Sequence, residues 1–201
     1  MIVGWQSFVF TSSEEPTGTA PISVDSSGRN CIVVCTAANM TLTPEQVSCD
    51  SRCVHSSLCC HPYLNPTGCV LQVEGARSVI AGASTLVCQN EIPIESTLKA
   101  LTIGREEGVT TIFNPAPAPP TLDDALLQVT DYFCPNETEA ALLTGMPTDT
   151  LEGCEAAARE LMRRGAKNVI MTIGSRGSMW YVAWWWGQPS KQCVYLSAGT
   201  S

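Results

Sequence analysis

No run of basic residues marks this chain: eleven lysines and arginines are scattered among nineteen acids, and the net charge is −8. A chain so charged offers no electrostatic footprint to a phosphate backbone or an anionic bilayer, so neither nucleic acid nor membrane is an expected partner. No stretch approaches the roughly 20 apolar residues that cross a bilayer. The opening Met1-Ile2-Val3-Gly4-Trp5 has no basic residues ahead of its apolar ones, as a secretory signal would. The expectation is a soluble intracellular protein of the cytoplasm, its range extending to the nucleus. What is present suits one globular domain: 201 residues, 44% hydrophobic and 15% charged, can bury a sizeable core.

The eleven cysteines divide into two groups. Cys31, Cys35, Cys88, Cys134, Cys154 and Cys193 sit in or beside apolar segments, where a thiol acts as a small buried hydrophobe. The other five crowd with both histidines into Cys49, Cys53, His55, Cys59, Cys60, His61 and Cys69. Thiolate and imidazole ligate zinc, and Cys49-x-x-x-Cys53 has tolerable finger spacing. Cys59, Cys60 and His61 are adjacent, however, and cannot all reach one tetrahedral ion comfortably. A small zinc module over 49–69 is therefore the weaker reading of this segment.

Residues 20–35 read as two short strands around Asp25-Ser26-Ser27-Gly28, a hairpin. The Cys-rich stretch 48–73 has neither helical nor strand period and interrupts a connection. From there helices alternate with strands: helix near 75–82, strand 84–89, helix 94–107, strand 109–113, helix 121–129, strand 131–134, helix 136–143, helix 151–164 and strand 168–173. That alternation predicts right-handed βαβ units and a parallel sheet. Ile94, Leu98 and Leu101 share one helical face, and Leu151, Cys154, Ala157, Ala158 and Leu161 another. Thr121-Leu122-Asp123-Asp124 has the form of a helix start with a shorter acid than a capping box uses. After Ser178 the pattern collapses. Trp184-Trp185-Trp186 would place indoles on both faces of a strand, so residues 180–201 read as foreign to the fold.

Phe133-Cys134-Pro135-Asn136-Glu137-Thr138-Glu139 stops an apolar run at a proline and begins a helix. Asn136 and Glu139 have capping-box spacing, which accounts for both residues by helix initiation alone. The same two side chains would also face the crevice at a parallel strand's carboxyl end, where phosphate oxygens and a hydrated divalent cation can be held. Thr172-Ile173-Gly174-Ser175-Arg176-Gly177 reads equally as a hairpin with a glycine at each demanding φ or as a surface that a base and ribose approach closely. Glu91 ends a strand, and Pro93 holds Ile92 extended behind it, so its carboxylate is either a solvated loop acid or an acceptor for sugar hydroxyls.

Taken in order, Thr17-Gly18-Thr19-Ala20, Asp25-Ser26-Ser27-Gly28-Arg29-Asn30, Ala37-Ala38-Asn39, Val87-Cys88-Gln89-Asn90-Glu91, Phe113-Asn114-Pro115-Ala116-Pro117, the Asn136 segment and the 172–177 turn closely resemble the ribokinase family of sugar kinases, which includes adenosine kinase and fructokinases. The resemblance covers about residues 15–47 and 74–178. It implies an α/β fold with a mostly parallel sheet flanked by helices, in which the 20–35 hairpin is a lid remnant that could pair two copies. It also implies ATP-dependent phosphorylation of D-ribose at its 5-hydroxyl, a phosphotransfer to an alcohol. By this resemblance Glu91 and Asn39 contact sugar, although Ala37 stands where the family usually has glycine. Asn136, Thr172, Ile173, Gly174, Ser175, Arg176 and Gly177 line the ATP site, and Glu139, with Glu137 beside it, orders a magnesium ion through water.

The family's potassium site, its Gly-Gly-Lys-Gly-Ala-Asn-like sugar segment and its Gly-Ala-Gly-Asp segment with the catalytic base are not found among these residues. The expected product is a truncated middle portion over 1–178 with a non-family tail over 179–201, weak or inactive as a kinase. Its rivals are a dead nucleotide-binding or dimerising fragment and the zinc module. Deleting 48–73 rejoins the family pattern between Val47 and Glu74, so that segment reads as retained non-coding sequence translated in frame.

Overall fold

The computed structural model describes residues 15–24, 26, 30–33, 35, 37–38, 76–182 and 192–196. The chain divides into two compact units, residues 1–76 with 91–96, and residues 77–90 with 97–201. In the first, β1 (Ile22–Val24) and β2 (Asn30–Ile32) pair antiparallel with Ile22 opposite Ile32, so the expected hairpin is present. Reciprocal backbone hydrogen bonds of 2.9 and 2.8 Å between Thr19 and Cys35 extend it. Ile22, Val24 and Val33 are exposed, and so is Cys35, which the sequence suggested would be buried. A two-stranded ribbon has no interior of its own, and Cys35 lies past the end of β2. Asn39 and the 48–73 segment, with its candidate zinc ligands, lie outside the described residues.

The second unit is built on a six-stranded sheet in the order β3-β4-β5-β6-β7-β8. Its strands are β3 (Thr85–Gln89), β4 (Thr110–Asn114), β5 (Tyr132–Phe133), β6 (Asn168–Thr172), β7 (Ser178–Val182) and β8 (Gln192–Leu196). The helices are α1 (Arg77–Ala81), α2 (Ile94–Glu106), α3 (Asp124–Val129), α4 (Glu137–Thr144) and α5 (Leu151–Arg163). Strands β3 to β6 run parallel and β7 and β8 antiparallel, the mostly parallel α/β arrangement that the alternation predicts. Among the described residues no helix is long and apolar enough to cross a membrane.

One face of the sheet carries the core. Thr111 and Phe113, Phe133, Val169 and Met171, and Met179 and Tyr181 alternate inward along four neighbouring strands and are buried. The Phe113 and Phe133 rings lie 5.8 Å apart and tilted by 53°, a favourable aromatic contact. Helix α2 lies close over the sheet because residue 104 is glycine. A Cβ there would stand 2.9 Å from Thr111 Cγ2 and 3.1 Å from Leu86 Cδ2. Helix α5 buries Cys154, Ala157, Ala158 and Leu161 as its pattern predicts, but Leu151 remains exposed because it opens the first turn, beyond the packed stripe.

Two expectations are corrected. Helix α3 is capped by Asp123, whose Oδ1 accepts from Ala125 N at 2.9 Å, and Thr121 stays outside it. An Asx turn two residues long satisfies the first amide more directly than Thr121 could. Residues 179–182 and 192–196 are also not foreign to the fold. β7 buries Met179, Tyr181 and Val182, and β8 pairs with it along its whole length. Period two survives in Met179-Trp180-Tyr181, and the tryptophan triplet that obscures it begins only after β7 has ended.

Polar contacts fix the helices and one sheet edge. Arg164, following α5, donates to Asp124 Oδ1 at 2.7 Å, to Leu143 O at 2.8 Å and to Leu122 O at 2.9 Å, tying the start of α3 and the end of α4 to the end of α5. Asp131 accepts from Thr111 N at 3.0 Å and from Lys167 Nζ at 2.6 Å. Burial pushes the Asp131 carboxyl up, but the Lys167 and Thr111 hydrogen bonds and the lysine charge outweigh it and hold the group below its ordinary value of 3.8.

Candidate functional site

The apolar run of β5 ends at Pro135, and the next residue turns the chain into α4. Asn136 is the N-cap, with φ −88° and ψ 175°. Its Oδ1 accepts from Glu139 N at 2.8 Å, and Glu139 Oε2 accepts from Asn136 N at 2.8 Å. The capping box is therefore complete, and Gly145 closes the helix in the left-handed region at φ 70°. Helix initiation explains the Asn-x-x-Glu spacing but not where the helix starts. Asn136 also forms a parallel bridge with Thr172, whose N–H donates to Pro135 O at 3.1 Å. The start of α4 is thereby stitched to the carboxyl end of β6, at the edge where open α/β sheets bind ligands.

From Thr172 the chain turns through Gly174–Arg176, a single 3-10 turn, and returns as β7. Gly174 at φ 51° and Gly177 at φ 95° supply the left-handed backbone, and the turn is closed by Ile173 N donating to Gly177 O at 2.8 Å. Thr172, Gly174, Ser175 and Arg176 are exposed beside Asn136. Ile173 is the exception. Its side chain is 1% exposed and belongs to the core, so only its backbone can meet a ligand here. β6 alternates inward at Val169 and Met171, and Ile173 continues that period.

Arg176 is exposed but held. It donates to Asp149 O at 2.9 Å and to Thr148 O at 3.4 Å, and its Nη2 lies 3.6 Å from Glu137 Oε1. Thr148 Oγ1 in turn donates to Glu137 O at 2.9 Å. Glu137 reaches over the turn, with Oε1 3.8 Å from where a Cβ on Gly174 would sit. Sequence reasoning missed this arrangement because two of the three acceptors are main-chain carbonyls, which no residue type announces.

The carboxyl ends of β3 and β4 are joined separately. Asn90 N donates to Ala116 O at 3.1 Å and its Nδ2 to Pro117 O at 2.8 Å, while Asn114 Oδ1 accepts from Ala116 N at 3.1 Å. Asn90 and Asn114 are thus loop organisers, a role the sequence reading left unassigned. Burial pushes the Cys88 thiol up to about 11 and the Cys134 thiol up as well, so neither offers a thiolate at this edge. Glu91 follows β3, is half-buried and belongs to the first unit. A cavity of about 540 Å³ lined by Met146, Ala156, Arg159, Met162 and Tyr181 shares no residue with that cluster. Tyr181 pairs with Val169, at the opposite end of the β6–β7 pair from the turn.

Residues 6–196 match the pattern described as pfkB family carbohydrate kinase. The bifunctional ribokinase/ribose-5-phosphate isomerase A of Fructilactobacillus sanfranciscensis is 38% identical over 170 residues, which is 85% of this chain and 26% of that protein. The ribokinase of Mus musculus is 34% identical over 170 residues, covering 85% of this chain and 45% of its own. The chain therefore spans less than half the length of these relatives. The structure of Arabidopsis thaliana ribokinase complexed with ribose and ATP superposes with a TM-score of 0.65 at 26% identity, covering 92% of this chain and 49% of that one. A match running from residue 6 to residue 196 on that shared fold decides the matter: this chain belongs to the pfkB family of carbohydrate kinases.

Proposed function

We propose that this chain carries the nucleotide-facing part of an ATP-dependent ribokinase whose acceptor is the 5-hydroxyl of D-ribose. The observation that carries the reading is the stitching of Asn136 to Thr172, which sets a capped helix start beside an exposed glycine turn at the carboxyl end of two parallel strands. Asn136 and the backbone of 172–177 contact ATP. Glu91 and Asn39 supply sugar contacts.

Glu139 fits a role in ordering magnesium through water. One of its oxygens is held by the Asn136 amide, and the other keeps lone pairs for a hydration shell. Among the described residues no three His, Cys, Asp or Glu side chains gather into a direct metal cage, so a water-mediated contact is the one these carboxylates suit. When bound, the ion neutralises charge on the β- and γ-phosphates. A family potassium ion would be held by residues other than these. The exposed Ile22, Val24 and Val33 of the hairpin suit pairing with a second copy of the chain.

The 201 residues contain no Gly-Ala-Gly-Asp segment. Single anion-hole donors are worth roughly 2.7 to 4 kcal/mol, so the chain on its own binds ATP weakly and transfers no phosphoryl group above background. Calorimetry with ATP and magnesium, run beside a ribose-dependent ADP-release assay, tests both statements. Weak ATP binding without turnover is expected. Undetectable ATP binding overturns the site, and sugar-dependent ADP release at a hundredth of an intact relative's rate overturns the inactivity.

A further inference from the structure

Glu137 poses an electrostatic problem. It is the first residue of α4 and its carboxylate projects over Gly174, on the surface where the reading above places a polyanionic nucleotide. An uncompensated carboxylate there would repel the phosphates that the helix N-terminus attracts. Among the described residues, the cation facing that carboxylate is Arg176, 3.6 Å away. The guanidinium is turned back toward the chain, with Nη1 donating to Asp149 O at 2.9 Å and Nη2 to Thr148 O at 3.4 Å. Those two carbonyls belong to the α4–α5 connection, which Thr148 Oγ1 anchors back to Glu137 O. The arginine is thus held in one place, facing Glu137 and bracing the turn on which it sits.

We propose that Arg176 is a positioning residue that cancels the charge of Glu137 at the nucleotide turn, so that the site admits a phosphorylated nucleotide in preference to an uncharged nucleoside. This inference rests on the nucleotide-site reading and adds to it a residue that acts through another. A merely structural role predicts something different. If Arg176 only braced the turn, its loss would weaken every ligand that touches the turn by a similar factor.

The test is ligand-detected resonance or calorimetry on the full chain with ATP, ADP and adenosine, for the parent, Arg176→Gln, Arg176→Lys and Arg176→Gln with Glu137→Gln. Arg176→Gln should weaken ATP by roughly fivefold relative to adenosine, the scale of one short-range unit-charge interaction in water. That relative loss should shrink as salt is raised, because half-exposed charges are screened. Arg176→Lys should keep most of the ATP preference through its charge, and the double variant should regain it by removing the carboxylate. If ATP and adenosine weaken equally in Arg176→Gln, or if Glu137→Gln restores nothing, the inference fails and the nucleotide site stands. If the parent binds none of the three ligands, the site reading fails and the inference falls with it.

Discussion

Replacing Asn136 by serine and by alanine separates its capping role from its proposed nucleotide role. Alanine removes Oδ1, leaving Glu139 N without its 2.8 Å acceptor and breaking one arm of the capping box. Loss of such a cap costs about 1 kcal/mol, whereas serine ranks with asparagine as an N-cap and should cost only a few tenths. In a domain of this size about 1 kcal/mol corresponds to a fall of roughly 2–4 °C in Tm. Serine has no side-chain amide, however, and cannot make the nucleotide contact proposed for asparagine. The expected pattern is a lowered Tm for Asn136→Ala, a near-parental Tm for Asn136→Ser, and lost ATP affinity in both, read by differential scanning calorimetry and ATP titration. Parental ATP affinity in Asn136→Ser would show that the residue only starts a helix. An unchanged Tm in Asn136→Ala would show that the capping box contributes nothing to stability.

Arg164→Ala should destabilise the second unit by about 2–3 kcal/mol in urea unfolding, because a largely buried guanidinium leaves two carbonyls and Asp124 without their donor. Arg164→Lys should recover only part of this, since an ammonium cannot reproduce the fork. Gly153→Ala should cost about 1–3 kcal/mol although residue 153 is helical, because its Cβ would meet Pro147 O, a backbone atom, at 2.4 Å; an unchanged unfolding midpoint would refute the contact. The native Asp131 carboxyl binds its proton more weakly than the unfolded one, so its stabilisation is present above the ordinary value of 3.8 and is lost as pH falls through the lowered native value. Asp131→Asn should therefore flatten the acid limb of Tm as pH falls below the ordinary value of 3.8. A limb as steep as the parent's would refute this.

The order and type of the elements from residue 76 to residue 173 were legible because each is announced locally. Glycines follow α2 at 108, α4 at 145 and α5 at 165, each at positive φ, and apolar residues recur at 3.6 or 2 between them. Asn136 and the glycine turn were legible for the same reason, since a cap and a left-handed backbone each need particular residue types. Two local signals misled. Thr121 resembled a cap that Asp123 supplies, and the tryptophan triplet obscured a strand that had already ended at Val182.

Only the tertiary structure decided which residues meet. The bridge from Asn136 to Thr172 spans thirty-six residues and depends on β5 and β6 lying side by side in register, which no local propensity specifies. Arg176 is exposed, yet it is fixed by carbonyls of Thr148 and Asp149, and every residue type carries a carbonyl. Arg164 gathers three helix ends by the same means. The sequence by itself determined the local geometry of this protein, because steric preference and hydrogen-bond capacity act within a few residues of the chain. The charge pairing at the Gly174–Arg176 turn was decided by the fold, because long-range contacts between side chains and main-chain acceptors exist only once the sheet has set its strands in order.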